Sequence, residues 1–389
     1  MSRQQLVTGA TGFVGGALVL ELLARTDDQI VCLVRSGKSP GAGQARLQSS
    51  LLSAAAAYGR LDLTGEIEGR CRALPGDITL ADCGGAFPDG LRVSEVWHCA
   101  ASLNYEEKNE EQIVLHNVQG TKNVLALAER LGASVFDYVS TAYVAGRRGG
   151  LILEEPAQEP AVTNNCYEKS KVAAEALVAG KEPFHVRVLR PSIVIGHSRT
   201  LVATSFTGLY GFMRELHRFK RVVSGRLGEF LRLRSLRLRA EAEVPLNFIP
   251  VDGLAANAVG ISLSNTPERY FHLTNRSSVS VGDGMLLLFR LLQLRAPRFA
   301  TSPREFTSLD EALDRELEFY NSYLSHAKVF DQTHTDAILG PAASSWPLPT
   351  DRLSAFLEWY LDCLEGSASG IAEPPPGPRG VPAAAGLRP

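Results

Sequence analysis

Short apolar runs alternate with longer amphipathic stretches through the first two-thirds of the chain. Residues 5–8 form an apolar run that ends on a glycine, and the spacing of apolar positions from about 13 to 25 predicts a helix after it. Residues 30–34 read as the next strand, followed by strands at 71–74 and 95–98 and a helix over about 112–131. A strand at 135–140, a helix at 167–179 and a strand at 185–189 continue the series. Apolar strands separated by helical patterns predict a parallel sheet covered on both faces by helices. The expected fold class is α/β, a doubly wound parallel sheet.

Beyond Pro191 the rhythm weakens. Residues 213–239 carry nine Lys or Arg against only Glu215 and Glu229, a local basic patch. Within it, 231–239 alternates Leu with Arg, which fits a strand or an exposed helix, and a solvated charged face needs no partner. The apolar run 246–249, a helix over 251–263 and a run at 270–274 restore order. Residues 366–389 are so rich in Pro, Gly and Ala that a disordered tail is expected.

Composition narrows the function classes. Forty Lys and Arg against 42 Asp and Glu leave a net charge of -2, so no global field favours nucleic acid or an anionic membrane. The six cysteines, Cys32, Cys71, Cys83, Cys99, Cys166 and Cys363, form no C-x-x-C pair or Cys/His cluster, so neither a metal site nor a disulfide framework is expected. The first residues lack the pattern of a secretory leader, and no apolar run approaches the roughly 18 residues of a membrane span. The expectation is a cytoplasmic protein without an integral membrane segment.

Candidate chemistry begins at the first strand-to-helix turn, where TGATGFVG (8–15) spaces Gly9, Gly12 and Gly15 three apart. Glycine lets the backbone turn sharply and approach a diphosphate, which the N–H groups and dipole of the following helix attract. Gly15 would let that helix pack close to the sheet. NAD-selective sites place an acid at the end of the second strand, roughly 20 residues past the glycines. Here that strand ends in Arg35, a guanidinium suited to a 2′-phosphate, so NADPH is the expected cofactor. Asp77, after the third strand, is positioned to take the adenine amino group.

Tyr167 and Lys171 stand four residues apart, on one face of a helix. An ammonium beside a phenol favours the phenolate, which is expected to lower the Tyr167 pKa and ease proton exchange with a substrate oxygen. Thr141 closes the fifth strand at the carboxyl edge of the sheet, where open α/β folds bind ligands.

The motifs TGATGFVG at 8–15, GDIT at 76–79, HCAAS at 98–102, HNVQGTKNVL at 116–125, VSTAYVAG at 139–146, YEKSK at 167–171 and RPSIVIG at 190–196 occur in order over some two hundred residues. Together they resemble the extended short-chain dehydrogenases/reductases. Within that group CLVR at 32–35, STAYV at 140–144 and PLNFIPVDGLAANAV at 245–259 resemble the acyl-thioester reductases, meaning fatty acyl-CoA reductase-like proteins and the terminal reductase domains of peptide and polyketide synthetases. The resemblance implies a catalytic triad of Thr141, Tyr167 and Lys171, with Asn117 holding the central helix and a proton-relay water. It also implies Ala100 against the nicotinamide ribose and Pro191 beside the nicotinamide. The cofactor-binding set then comprises Gly9, Thr11, Gly12, Phe13, Val14, Gly15, Arg35, Asp77, Ile78, Ala100, Ala101 and Pro191. Nucleotide-sugar dehydratases of this fold place acids just after the catalytic Thr, where Ala142 and Tyr143 stand here.

The expected organisation is an NADP-binding Rossmann domain from 1–198 and 245–265, a smaller C-terminal substrate-binding lobe from 199–244 and 266–365, and the tail. The leading functional expectation is reduction of an acyl thioester, on CoA or an acyl or peptidyl carrier protein, to an aldehyde or on to the alcohol. Two alternatives stand beside it: a reductase, dehydrogenase or epimerase of a small ketone, alcohol or nucleotide sugar, and an NADP-binding sensor or scaffold without turnover. After residue 200 the chain departs from the membrane-bound fatty acyl-CoA reductases, which carry a longer second domain.

Overall fold

The computed structural model describes residues 3–35, 39, 41–85, 87–103, 107–158 and 162–366. Apart from Gly366, the tail expected at 366–389 lies outside the described residues.

Seven strands form one parallel sheet: β1 (Gln4–Thr8), β2 (Gln29–Val34), β3 (Cys71–Pro75), β4 (Glu95–His98), β5 (Val135–Val139), β6 (His185–Pro191) and β7 (Tyr270–Leu273). Their spatial order is β7-β6-β5-β4-β1-β2-β3, so β1 lies between β2 and β4 and the winding reverses there. This is the doubly wound Rossmann arrangement, in which the crevice beyond the carboxyl ends of the strands at the reversal receives a ligand. The inner strands are buried along almost their whole length because both sheet faces are covered. On one face lie α1 (Phe13–Arg25), α2 (Ala42–Ala57) and α3 (Thr64–Arg70), with Leu18, Leu22, Leu47, Leu51 and Ile67 buried against the sheet. On the other lie α4 (Gly120–Arg130) and α5 (Cys166–Ala179), with Val124, Leu127, Ala174 and Val178 buried.

The lower end of the sheet carries a buried ionic triad. Arg187 on β6 donates from Nε to Asp137 Oδ1 on β5 at 2.6 Å and from Nη2 to Glu95 Oε1 on β4 at 2.5 Å, and Ser262 Oγ also reaches Glu95 at 2.5 Å. Burial and the neighbouring Asp137 push the Glu95 carboxyl up to about 8 despite the guanidinium.

Two findings differ from the sequence division. The strand Tyr270–Leu273, which that division gives to the lobe, pairs with β6 and is the edge of the main sheet. The basic segment, left open between strand and helix, contains both. It is α6 (Leu209–Leu227), a short helix Phe230–Leu233 and a strand Arg237–Arg239 paired with Arg298–Ala300. Helix α7 (Val251–Leu263) returns to the sheet and packs along α1, as Arg25 Nη1 donating to Ala256 O at 3.1 Å shows. Helices α6, α8 (Val281–Leu291), α9 (Ser308–Glu316) and α10 (Thr350–Leu364) enclose a separate core that includes Met213, Leu216, Phe289, Leu313, Phe356 and Tyr360.

The same lobe cancels much of its own charge. Arg218 pairs with Glu215 and Glu316, Arg232 with Glu229, Arg237 with Asp310 and Arg239 with Asp314. The positive lobe expected from local composition is therefore mostly ion-paired. Lys220, Arg221 and Arg226 have no carboxylate partner among the described residues. No helix among those residues is long and apolar enough to cross a membrane.

Candidate active site

Strand β1 ends at the reversal of the sheet, and the chain leaves it through Gly9 at φ +75°, a left-handed conformation that side chains rarely adopt. A Cβ on Gly9 would lie 2.8 Å from the Ala100 backbone nitrogen, so the loops after β1 and β4 touch backbone to backbone. Gly12 N donates to Gly9 O at 2.9 Å and closes the turn, and Gly12 then serves as the N-cap of α1 without a side-chain cap. A Cβ on Gly15 would sit 2.2 Å from Gly9 O, so only glycine lets α1 start this close to the turn it follows. The result is a concave run of backbone at the positive end of a 13-residue helix, with Thr11, Phe13 and Val14 partly exposed along it. It is the kind of seat that binds a diphosphate.

Arg35, exposed at the end of β2, and Asp77, after β3, lie at one flank of this seat. Against the desolvation of burial, the Thr79 N–H and hydroxyl, at 2.9 and 2.8 Å, together with the Arg35 and His116 side chains, hold the Asp77 carboxyl below the usual carboxylate range. Ile78 packs on Gly120 at the start of α4, and its carbonyl accepts from Asn123 Nδ2 at 2.7 Å. Ala100 and Ala101 follow β4, and the Ala100 N–H donates to Thr8 Oγ1 at 3.2 Å. Pro191 is buried at the end of β6.

A buried chain of hydrogen bonds runs from the glycine turn to the central helices. Thr8 Oγ1 bonds His98 Nδ1 at 2.7 Å, His98 Nε2 bonds Thr121 Oγ1 at 3.0 Å, and Thr121 Oγ1 donates to Asn117 O at 2.6 Å. Burial and the nearby Lys171 lower the His98 pKa to about 3, so the ring is neutral and acts as a structural link. Asn117 itself is 1% exposed in a π-helical turn, Leu115–Gln119. Its Oδ1 accepts from Ser102 N at 2.7 Å, and its Nδ2 donates to Ser102 O at 3.0 Å and to Ser170 Oγ at 2.9 Å. It thus ties the loop after β4 to α5. His98, Thr121, Ser102 and Ser170 lie inside the quoted motifs, but their roles are set by partners far away in the chain, and no spacing announces them.

Tyr167 is the second residue of α5, half-buried, and Lys171 follows one turn later, 3% exposed. Lys171 Nζ donates to Val139 O at 2.7 Å and to Tyr138 Oη at 3.2 Å, and lies 4.6 Å from the centre of the Tyr138 ring. Burial lowers the ammonium to about 8, with Cys99 and Glu175 opposing. The lowering expected for Tyr167 is not what the structure gives. Burial pushes the phenol above its ordinary value, and the neighbouring Glu168 adds to the effect. The Lys171 ammonium, meanwhile, is hydrogen bonded to the end of β5. Thr141 lies two residues beyond Val139, 7% exposed, and its Oγ1 accepts from the Tyr143 N–H at 3.2 Å, which leaves its own hydroxyl proton to donate. The structure therefore ties Lys171 to the end of β5, two residues before Thr141, and ties Asn117 to α5, the helix that carries Tyr167.

The residues present fit a nicotinamide dinucleotide. The glycine cradle would be filled by any Cβ at Gly9 or Gly15, and the hydroxyls of Ser140 and Ser192, buried at the carboxyl ends of β5 and β6, have no partner among the described residues. A family model described as male sterility protein, an NAD-binding family, matches residues 7–258. The chain belongs to the male sterility protein family. It is 34% identical over 219 residues to glycine betaine reductase ATRR of Emericella nidulans, covering 52% of this chain and 16% of that protein. It is 29% identical over 172 residues to the alcohol-forming fatty acyl-CoA reductase of Simmondsia chinensis, covering 39% of this chain and 33% of that one. The chain thus spans less than half the length of either curated relative. The solved terminal R domain from the myxalamid PKS-NRPS biosynthetic pathway matches with a TM-score of 0.73 at 25% identity, over 96% of this chain and 92% of that domain. This male sterility family member is thus similar in sequence to fatty acyl-CoA reductases and shares its fold with that terminal R domain.

Proposed function

We propose that the protein is an NADPH-dependent reductase of an acyl thioester, carried on CoA or on an acyl or peptidyl carrier protein, with an aldehyde as the first product. The observation that supports this reading is a buried Lys171 anchored on Val139 O, two residues before Thr141 on the same strand end, with Tyr167 one helical turn before it on α5. Its relatives' names, a fatty acyl-CoA reductase and a terminal R domain, favour a thioester over a free ketone or a nucleotide sugar.

In this reading Gly9, Thr11, Gly12, Phe13, Val14 and Gly15 hold the diphosphate, Arg35 the 2′-phosphate, Asp77 and Ile78 the adenine end, and Ala100, Ala101 and Pro191 the nicotinamide end. The bound dinucleotide supplies the hydride. Thr141 and Tyr167 donate hydrogen bonds to the thioester oxygen and stabilise the charge that develops on it. Tyr167 passes its proton to that oxygen, and the Lys171 charge stabilises the phenolate left behind. Asn117, fixed by Ser102 and Ser170, holds the loop and helix that frame this proton route. The hemithioacetal then collapses, its C–S bond breaking to give the aldehyde while the sulfur leaves as a thiol with the hydroxyl proton. A second hydride and proton would give the alcohol. Of the basic segment, Lys220, Arg221 and Arg226 remain available to a phosphopantetheine phosphate or an acidic carrier.

The test is incubation with NADPH or NADH and a panel of acyl-CoA and acyl-carrier thioesters, following nicotinamide absorbance and released thiol together. Equimolar nicotinamide oxidation and thiol release with NADPH, reduced about 100-fold or more in Tyr167→Phe, is expected. Silence across the panel with activity on free ketones would overturn the thioester reading.

A further inference from the structure

A cavity of about 270 Å³ lies where the sheet domain meets the helical lobe, and it shares no residue with the nucleotide or catalytic sets. Phe248 lines it from the strand Phe248–Pro250, which pairs with Ile193–Ile195. Trp346 lines it from the segment before α10, Arg352 and Phe356 from α10 itself, and Arg199 from the turn after Ile195. These walls are fixed without a ligand. Asn275, 3% exposed, accepts from Trp346 N at 3.0 Å and donates from Nδ2 to Trp346 O at 2.7 Å. Asn275 is held in turn by Asn247, whose Oδ1 accepts from Asn275 N at 2.9 Å and whose Nδ2 donates to Asn275 O at 2.6 Å. A Cβ on Gly253 would lie 2.6 Å from Trp346 Cε2, so the indole rests directly on α7. The turn that carries Arg199 is as tight, because a Cβ on Gly196 would lie 2.0 Å from Leu201 O.

The charge in this cavity is unbalanced. Arg352 donates from Nη2 to Ser198 O and lies 5.8 Å from the centre of the Phe356 ring, and Arg199 is exposed at the rim. Neither guanidinium has a carboxylate partner among the described residues, unlike Arg218, Arg237 and Arg239 of the lobe. The nearby Asp252 is engaged elsewhere, by Ser198 N at 2.7 Å and Ser198 Oγ at 2.5 Å. Guanidinium groups take an oxyanion through parallel N–H bonds, and preformed aromatic-lined clefts between packed units are where small molecules bind. An apolar cavity of roughly 150 Å³ holds benzene, so the present one has room for such a ring and a short charged chain. We propose that this cavity binds a small organic carboxylate, with an aryl or short acyl body among Phe248, Trp346 and Phe356 and its carboxylate on Arg199 and Arg352. The inference is independent of the reductase reading, since it uses none of the residues that carry that reading. Bound there, the ligand touches both the sheet domain and the helical lobe.

The test is an NMR titration of the full chain, 15N-labelled at the tryptophan indoles, with 3-phenylpropionate. The Trp346 signal is assigned by its loss in Trp346→Phe, and Trp97, buried in the sheet, is the internal reference. Trp346 should shift saturably with a dissociation constant of about 0.1–5 mM while Trp97 stays in place. The alcohol 3-phenylpropanol, which keeps the body without the charge, and inorganic phosphate, which keeps the charge without the body, should each bind at least about tenfold more weakly. Arg352→Met should weaken the acid about tenfold and leave the alcohol unchanged, and if that variant does not fold, Arg199→Gln at the exposed rim makes the same comparison. Saturating NADPH should leave the midpoint unchanged. No saturable shift of Trp346, equal affinity for acid and alcohol, phosphate as tight as the acid, a midpoint unmoved in whichever variant folds, or displacement by NADPH would each overturn the proposal.

Discussion

Replacing Gly15 by alanine adds one methyl group at the tightest backbone contact of the nucleotide seat. That carbon would lie 2.2 Å from Gly9 O, 2.7 Å from Gly9 C and 3.1 Å from Ala10 N, so helix and turn must part by about 1 Å to restore ordinary contact. The turn has nowhere to go. Gly9 already lies against the Ala100 backbone, where its own Cβ would come within 2.8 Å, and its carbonyl is engaged by Gly12 N at 2.9 Å. Overpacking of this kind costs about 1–3 kcal/mol, and opening the Gly12 bond adds about 1 kcal/mol. About 2–4 kcal/mol, expressed at the diphosphate seat, corresponds to NADPH binding roughly 30- to 800-fold weaker. Gly65→Ala provides the matched control, because that helical glycine has nothing within 4 Å of its added carbon and should gain about 0.5–1 kcal/mol of stability instead. The assay is fluorescence titration with NADPH alongside thermal denaturation of the same samples. A Gly15→Ala protein that binds NADPH within threefold of wild type and melts with it would refute the rigid-cradle argument.

Three further perturbations separate cofactor choice, buried charge and structural charge. Arg35→Glu should lose roughly 10- to 100-fold in NADPH affinity while NADH affinity holds or rises, measured as the ratio of the two dissociation constants; an unchanged ratio would exclude Arg35 from the phosphate site. Lys171, lowered from 10.5 to about 8, is charged in both folded and unfolded chains below pH 8 and carries its burial penalty there, so wild-type stability should rise as pH goes from about 8 toward 10.5. Lys171→Met should abolish turnover, stabilise the fold at pH 7 by about 1–3 kcal/mol and flatten that rise in denaturant melts; a wild type whose stability is level from pH 7 to 10 would sink the argument. Arg187→Met strands Glu95 and Asp137 together in the core, at about 3–5 kcal/mol, and should lower the melting temperature by roughly 6–20 °C. Adding Glu95→Gln and Asp137→Asn should recover most of that loss, and failure to do so would mean that packing, not charge, sets the cost.

Contact range along the chain decides how much of this molecule could be read from its sequence. The glycine turn and the Tyr167–Lys171 pair are visible because their partners lie within a few residues, and the strand-helix rhythm is visible because apolar strands covered on both faces leave a strong pattern. The Thr8–His98–Thr121 chain joins positions 90 and 23 residues apart, and nothing local marks it. The basic segment misleads for the same reason. Arg237 and Arg239 look unbalanced until α9 brings Asp310 and Asp314 across 73 and 75 residues. The expectation for Tyr167 failed on burial: spacing puts Lys171 on the right helix face, but only the fold shows the phenol desolvated and the ammonium bonded to Val139 O.

The partners of the buried cations also differ in kind within this sheet. Arg187 and Arg190 are both 2% exposed, and each is ion-paired with a carboxylate, Arg187 with Asp137 and Glu95 and Arg190 with Glu175 at 3.0 and 2.7 Å. Guanidinium groups suit that role because they stay protonated and bind carboxylates through two nitrogens. Lys171 is just as buried, yet its nitrogen is bound by a carbonyl and a phenol, both neutral. A neutral shell leaves part of the desolvation uncompensated, which is why its proton is held more loosely than in water. For stability alone an apolar side chain of similar volume would serve better at this position. A cation kept there with no carboxylate hydrogen bonded to it is a charge still available to answer a negative one, and in the proposed reaction the group one helical turn away that acquires a negative charge on giving up its proton is Tyr167.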